Sequence, residues 1–206
     1  VVFNWQDEKK FNINTKEFNR KDDYFTYMYV GSINKLANIE SIILAFKNAN
    51  LIGCRLVIAG EGSEKRNLIS FVDKNNIKNV TFLNFDSKDI GLVQSNSDVL
   101  VLSLKPGASS LAFPSKIPAY MFSSKPILAF VDMPSDISNT IQNANCGWVV
   151  QSGDIEGLKN SFSKIFTLKK SELEKMGESG KKYVHAHLSR KANLKRILSI
   201  IEIQLK

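Results

Sequence analysis

Asp98 to Ala129 reads D-V-L-V-L-S-L-K-P-G-A-S-S-L-A-F-P-S-K-I-P-A-Y-M-F-S-S-K-P-I-L-A. Val99–Leu102 and Ile127–Phe130 are short apolar runs bounded by turn residues, the pattern of buried strands. Between them the sequence predicts a loop and a short helix. Ser115 is the expected cap, because Pro118 then falls in the first turn, where a missing N–H breaks no helical bond. Ile117, Tyr120 and Met121 follow at helical spacing and should face the core. A helix that opens just beyond a strand's carboxyl end turns unpaired N–H groups into the crevice there, and Lys116 adds a full charge. Two readings stay open on this stretch alone: a phosphate-binding corner, or an ordinary strand–helix–strand unit with a solvated lysine.

Outward from this stretch the same alternation repeats. Thr26–Val30, Leu56–Ala59, Val80–Leu83 and Trp148–Val150 read as further strands, making six with the two above. Helices are expected over Asn38–Asn50, with Ile39, Ile42, Ile43 and Phe46 on one face, from a Ser63 cap to Lys74, and near Ile90–Gln94. After Gly153-Asp154 the pattern is wholly helical: Ile155–Phe166, Ser171 to about His185, and Ser189–Leu205. Short apolar strands alternating with amphipathic helices imply an α/β fold, a doubly wound parallel sheet covered on both faces. Right-handed crossovers then give the order 3-2-1-4-5-6, in which the first and fourth strands are neighbours and the loops after Val30 and Leu102 flank one crevice. Ligands bind at such a switch point, which favours the phosphate reading.

The chain has 206 residues, enough for one domain with a substantial core. Residues 1–23 are polar and read as the end of a preceding element plus a linker, which leaves 24–206 as the domain and suggests chain upstream. Its net charge of +8 suits nucleic acid, an anionic membrane surface or phosphorylated substrates. No nucleic-acid-binding motif accompanies it. Lys181, Lys182, Arg190, Lys191, Lys195 and Arg196 gather near the C-terminus; a solvated face is the favoured reading, a membrane-facing patch the alternative. Cys54 and Cys146 lack metal-type spacing and read as reduced core thiols, which fits a cytosolic compartment. His185 and His187 are the two histidines and form no metal motif, so no metal is expected; G-E-G at Gly60 is too short for a dinucleotide fingerprint, and no cofactor is expected either.

Six pieces together resemble a known family: Val1–Phe11 (V-V-F-N-W-Q-D-E-K-K-F), Tyr29–Ile33 (Y-V-G-S-I), Leu56–Gly62 (L-V-I-A-G-E-G), Pro114–Met121 with Lys125–Ala129 (P-S-K-I-P-A-Y-M, K-P-I-L-A), Cys146–Asp154 and Met176–Val184. In this order they resemble the C-terminal, donor-binding half of a GT-B glycosyltransferase in the large retaining family 4, of the bacterial surface-polysaccharide type. The resemblance implies a six-stranded Rossmann-like domain that binds a nucleoside-diphosphate sugar as substrate. It also implies an absent N-terminal half, a glycan or lipid-linked acceptor, an inactive isolated fragment, and a cytoplasmic protein peripheral at most to the membrane. Donor and phosphate contacts would fall on Gly31, Ser32, Gly60, Gly62, Lys105, Ser115, Lys116 and Ala119; no catalytic residue is assigned. The chain departs from the family pattern where Ser32 and Ala37 replace an Arg and a Lys, Ala119 a Glu, and Ser124 a Gly. The alternative is therefore a degenerate, non-catalytic binding or regulatory module.

Overall fold

The structure is a computed structural model that describes residues 6–11, 23–110 and 113–204. Trp5 and most of the expected linker lie outside the described residues, as do Leu111, Ala112 and the expected helix end at Leu205. Six parallel strands form one sheet among the described residues: β1 (Phe25–Val30), β2 (Cys54–Ala59), β3 (Val80–Leu83), β4 (Val99–Ser103), β5 (Ile127–Val131) and β6 (Gly147–Gln151). Their order, β3-β2-β1-β4-β5-β6, is the one expected from the alternation. Around them lie α1 (Ile39–Ala49), α2 (Lys65–Lys74), α3 (Ile90–Ser95), α4 (Lys116–Phe122), α5 (Asp136–Asn143), α6 (Ile155–Phe166), α7 (Lys170–His187) and α8 (Arg190–Gln204).

Strand alternation sorts the core into two layers. On β1, Tyr27 and Tyr29 join Ile39, Ile42, Ile43 and Phe46 of α1 and Phe162 of α6. Met28 and Val30 face the other way, toward Ile117, Tyr120 and Met121 of α4 and Ile137 and Ile141 of α5. In the first layer the Tyr27 and Phe162 rings meet edge-on at 4.7 Å, and Phe46 stands 5.3 Å from Phe162. Such pairs contribute about 0.5–1.5 kcal/mol each beyond area burial. Helix α7 joins the layers, with Leu173 packed in the first and Val184 in the second.

Three local expectations differ from what forms. Ser63 does not cap α2, whose N-cap is Glu64; Gly62 holds φ +157 and its carbonyl accepts the Lys65 N–H, so the turn itself starts the helix. Ser115 stands at the N-cap of α4, but it is already helical, and its side chain makes no capping bond. Helix α5 arises where only a connection between the fifth and sixth strands was expected. Ser135 and Ser138 make a reciprocal capping box there, and Ile137 and Ile141 are the buried anchors.

Candidate functional site

Strands β1 and β4 pair only at Tyr27–Val99 and Met28–Leu100, so the two strands part early and leave the crevice of the switch point. Two side chains satisfy β1 where the ladder stops. At the lower end Asp98 Oδ2 accepts the Thr26 N–H at 2.7 Å. At the upper end the Val30 N–H donates to the Tyr120 hydroxyl (3.0 Å), which in turn faces the carbonyls of Val30 and Val101 at 3.0 and 3.3 Å. Tyr120 is fully buried on α4, and burial pushes its phenol up, so it stays a neutral hydroxyl bolting α4 to both strands.

Above this bolt the glycine turns interlock. Gly31 donates to the Ala59 carbonyl (2.9 Å), Ile33 to Glu61 (2.8 Å) and Glu64 to Ile33 (3.1 Å). Side chains are excluded by distance. A Cβ on Gly60 would stand 2.0 Å from the Gly31 carbonyl oxygen, and one on Gly62 would stand 2.1 Å from that of Ile33. Lys65 braces the turn, donating to the Gly60 carbonyl (2.9 Å) and to Glu61 Oε1 (2.7 Å), with Asn84 as a third partner. Its charge is thereby engaged by Glu61.

Lys116 crosses this bared backbone. A Cβ on Gly31 would lie 2.1 Å from Lys116 Cε, so the glycine provides the slot along which the side chain runs. Its ammonium stands 5.4 Å from the centroid of the Tyr29 ring, and the Tyr29 hydroxyl donates to the Ser32 carbonyl at 2.6 Å. Burial lowers the Lys116 pKa. Among the described residues no carboxylate forms an ion pair with it. A half-buried cation without a carboxylate partner can pair with an anion supplied from outside. The short helix behind it contributes less than the sequence implied. Helix α4 has seven residues, and Pro118 withholds one N–H, so the lysine and not the helix dipole is the chief positive element.

The other expected site residues separate into groups. Gly31, Gly60, Gly62 and Lys116 come together; Ser32 is exposed on the same loop, and Ser115 precedes Lys116. Ala119 is buried at 3% in the core and offers no polar atom; Ala37 is equally buried, behind the Asn34 cap that accepts the Leu36 and Ala37 N–H groups. Lys105 opens on a different recess of about 250 Å³ with Asn34, Lys35, Asn38, Ser41 and Glu64. Its backbone is tied in by Lys105 N–H to the Leu36 carbonyl (2.9 Å). The loop after β4 is further held by Asp132, whose Oδ2 accepts the Gly107 and Ser109 N–H groups at 2.9 and 3.3 Å. The sequence marks Tyr120 only as a core-facing side chain and Tyr29 only as part of the Y-V-G-S-I piece, and it singles out neither Lys65 nor Asp132; the hydrogen-bonding roles of all four depend on partners distant in the sequence or on turn geometry that generic motifs do not show. Among the described residues no group of three or more His, Cys, Asp or Glu could hold a metal ion. Nor, among them, is any helix long and apolar enough to cross a membrane.

Comparison with known proteins gives this geometry a context. The profile of the family described as glycosyl transferases group 1 matches residues 10–183. The chain is 26% identical over 154 residues to a probable glycosyltransferase, WbjE, of Pseudomonas aeruginosa, covering 71% of this chain and 37% of that protein. Among solved structures, the Anabaena protein Alr3699/HepE in complex with UDP and glucose superposes with a TM-score of 0.81 at 13% identity, over 98% of this chain and 56% of that one. Sucrose-phosphate synthase from Thermosynechococcus elongatus gives 0.79 at 19% identity, over 98% and 51%. The C-terminal domain of the group 1 family protein LpcC from Francisella tularensis gives 0.67 at 16% identity, over 92% of this chain and 97% of that domain. The chain thus spans about half the length of the first two structures and 37% of WbjE.

Proposed function

The chain belongs to the glycosyl transferases group 1 family, and from that premise we propose that it is the donor-binding half of a sugar-transferring enzyme. It takes a nucleoside-diphosphate sugar into the crevice above β1 and β4. The observation that carries this reading is the carboxylate-free Lys116 ammonium lying over the bared backbone of Gly31. When the sugar–phosphate bond breaks, the electron pair leaves with the diphosphate, and a cation fixed beforehand at that place stabilises the departing charge without reorganisation. Gly60 and Gly62 keep the neighbouring backbone clear of side chains. Ser32 follows Gly31 and Ser115 precedes Lys116 in the chain, whereas Lys105 lines the separate recess beside Asn34 and Glu64 and is left out of the phosphate contacts.

The finer parts of the proposal are retention of anomeric configuration, membership of family 4, and an acceptor among surface polysaccharides or their lipid-linked precursors. The order of the sequence motifs supports all three, and the name of WbjE supports only the polysaccharide part. Transfer also needs an acceptor held against the donor. We assign that task to a second half of the protein. Leu194, Leu198 and Ile201 form an exposed apolar row on α8 that such a half would cover. On this reading the 206-residue chain alone binds donor and transfers nothing. The buried Ala37 and Ala119, where the family pattern has polar side chains, support a second reading: a module that binds nucleotide sugars without turning them over.

Calorimetry on Lys116→Ala tests the site. A charge-assisted hydrogen bond to phosphate contributes about 1.5–3 kcal/mol, so UDP or GDP should bind about tenfold more weakly or worse, and the bare nucleosides should bind unchanged. Equal losses for diphosphate and nucleoside, or no loss for either, would place the phosphates elsewhere. Turnover by the 206-residue chain would overturn the half-enzyme reading. Absence of turnover in the complete protein, with binding intact, would favour the non-catalytic one.

A further inference from the structure

Residues 6–11 pack on the domain as a strap with three attachments. At one end the Gln6 amide Nε2 donates to the Ser115 carbonyl at 2.9 Å. In the middle Glu8 Oε1 accepts the Arg190 N–H at 3.0 Å, meeting one of the unpaired donors at the start of α8. At the other end Phe11, which closes a 3-10 turn over Glu8–Phe11, is buried and stacks on Phe122 with ring centroids 5.7 Å apart. Ser115 immediately precedes α4 and Phe122 ends it. The strap therefore spans the whole helix, roughly 10 Å at 1.5 Å per residue. From the opposite side, α4 is held by the Tyr120 hydroxyl.

We propose that Gln6 is a positioning residue for Lys116: the strap fixes the peptide before it, and so fixes where its ammonium lies over Gly31. This deepens the donor-site reading above and rests on it for its functional meaning. The start of α4 has no side-chain cap of its own, and Pro118 stiffens only the later part of the turn. The Gln6 amide does not replace that cap, since it donates to the Ser115 carbonyl, but it is an external tie on the peptide that leads into Lys116. With that peptide held, and the slot at Gly31 too narrow for a Cβ, few placements of the Lys116 chain remain. Without the tie, the peptide between Ser115 and Lys116 can turn outward ahead of the buried Ile117, carrying the lysine from its half-buried place above Tyr29 toward water. Because the same strap caps α8 through Glu8, a movement of α8 is passed to the lysine without any contact with the ligand.

The test uses the 206-residue chain and a base-independent probe, inorganic pyrophosphate, beside a ligand-free readout, the titration of the Lys116 ammonium followed by heteronuclear NMR. In Gln6→Ala the lysine pKa should move up toward the 10.5 of a solvated amine, because the burial that depresses it is relieved. Pyrophosphate should bind about three- to tenfold more weakly, as expected for loss of one hydrogen bond that orders the site. Thermal stability should hardly change, and adding Gln6→Ala to Lys116→Ala should cost no further affinity. Unchanged titration in Gln6→Ala, or an affinity loss that persists in full on the Lys116→Ala background, would overturn the proposal. If the wild-type chain binds no pyrophosphate, the donor reading fails, and the titration still decides whether Gln6 places the lysine.

Discussion

At the level of single residues, the glycines of the site divide by what their missing side chains would strike. A Cβ on Gly60 meets backbone, the Gly31 carbonyl at 2.0 Å, at a φ of +143 that side-chain-bearing residues rarely adopt. Gly60→Ala should therefore cost about 3 kcal/mol or more, read as a lower denaturant midpoint. A Cβ on Gly31 meets the movable end of Lys116 instead. Gly31→Ala should unfold at a midpoint closer to wild type than Gly60→Ala does and bind nucleoside diphosphate several-fold more weakly. Similar stability losses with unchanged binding would show that Gly31 is only a turn. This division was half legible in the sequence. Gly31, Gly60 and Gly62 stand at strand ends, which marks them as turn formers, but the sequence does not say that Lys116, 85 positions after Gly31, fills the slot. Ser124 shows the same limit: the departure from the family's glycine was visible, and its backbone at φ +54 explains why a glycine suits the position.

Among the elements, the strands were the easiest to read and α5 the hardest. A buried parallel strand is a short run of apolar residues and needs no partner to be noticed, which is why all six were placed to within two residues at each end. Helix α5 carries two buried aliphatic side chains in an otherwise polar stretch, D-I-S-N-T-I-Q-N. Its signal was the Ser135–Ser138 capping pair, with a serine where glutamate is usual. The contacts that shape the site are absent from any local pattern, because Gln6 and Ser115 are 109 positions apart and Tyr120 reaches Val30 across 90. Tyr120 also gives the sharpest test at this scale. In Tyr120→Phe the Val30 N–H loses its acceptor inside a dry core, which should cost about 2 kcal/mol, seen as a lower urea midpoint with unchanged slope. A loss below about 0.5 kcal/mol would mean that β1 finds another acceptor or that water enters the crevice.

For the molecule as a whole, the sheet divides the interior into two compartments, and each holds one thiol. Cys54 begins β2 in the layer of α1 and α6, and Cys146 precedes β6 in the layer of α4 and α5. Both are at most 2% exposed, and burial pushes each thiol up to about 12 from 9.0. Reaction with an alkylating reagent needs a thiolate in contact with solvent, so neither cysteine should react until its own compartment opens. The protein thus carries two internal clocks, one on each side of the sheet. Alkylation of the native chain near neutral pH, quenched over time and resolved by mass, reads both at once. One common rate would mean that the layers come apart together, as expected of strands shared by both cores. A faster Cys146 would mean that the side bearing α4 and the strap breathes on its own, and that a donor would close an already loosening half of the molecule.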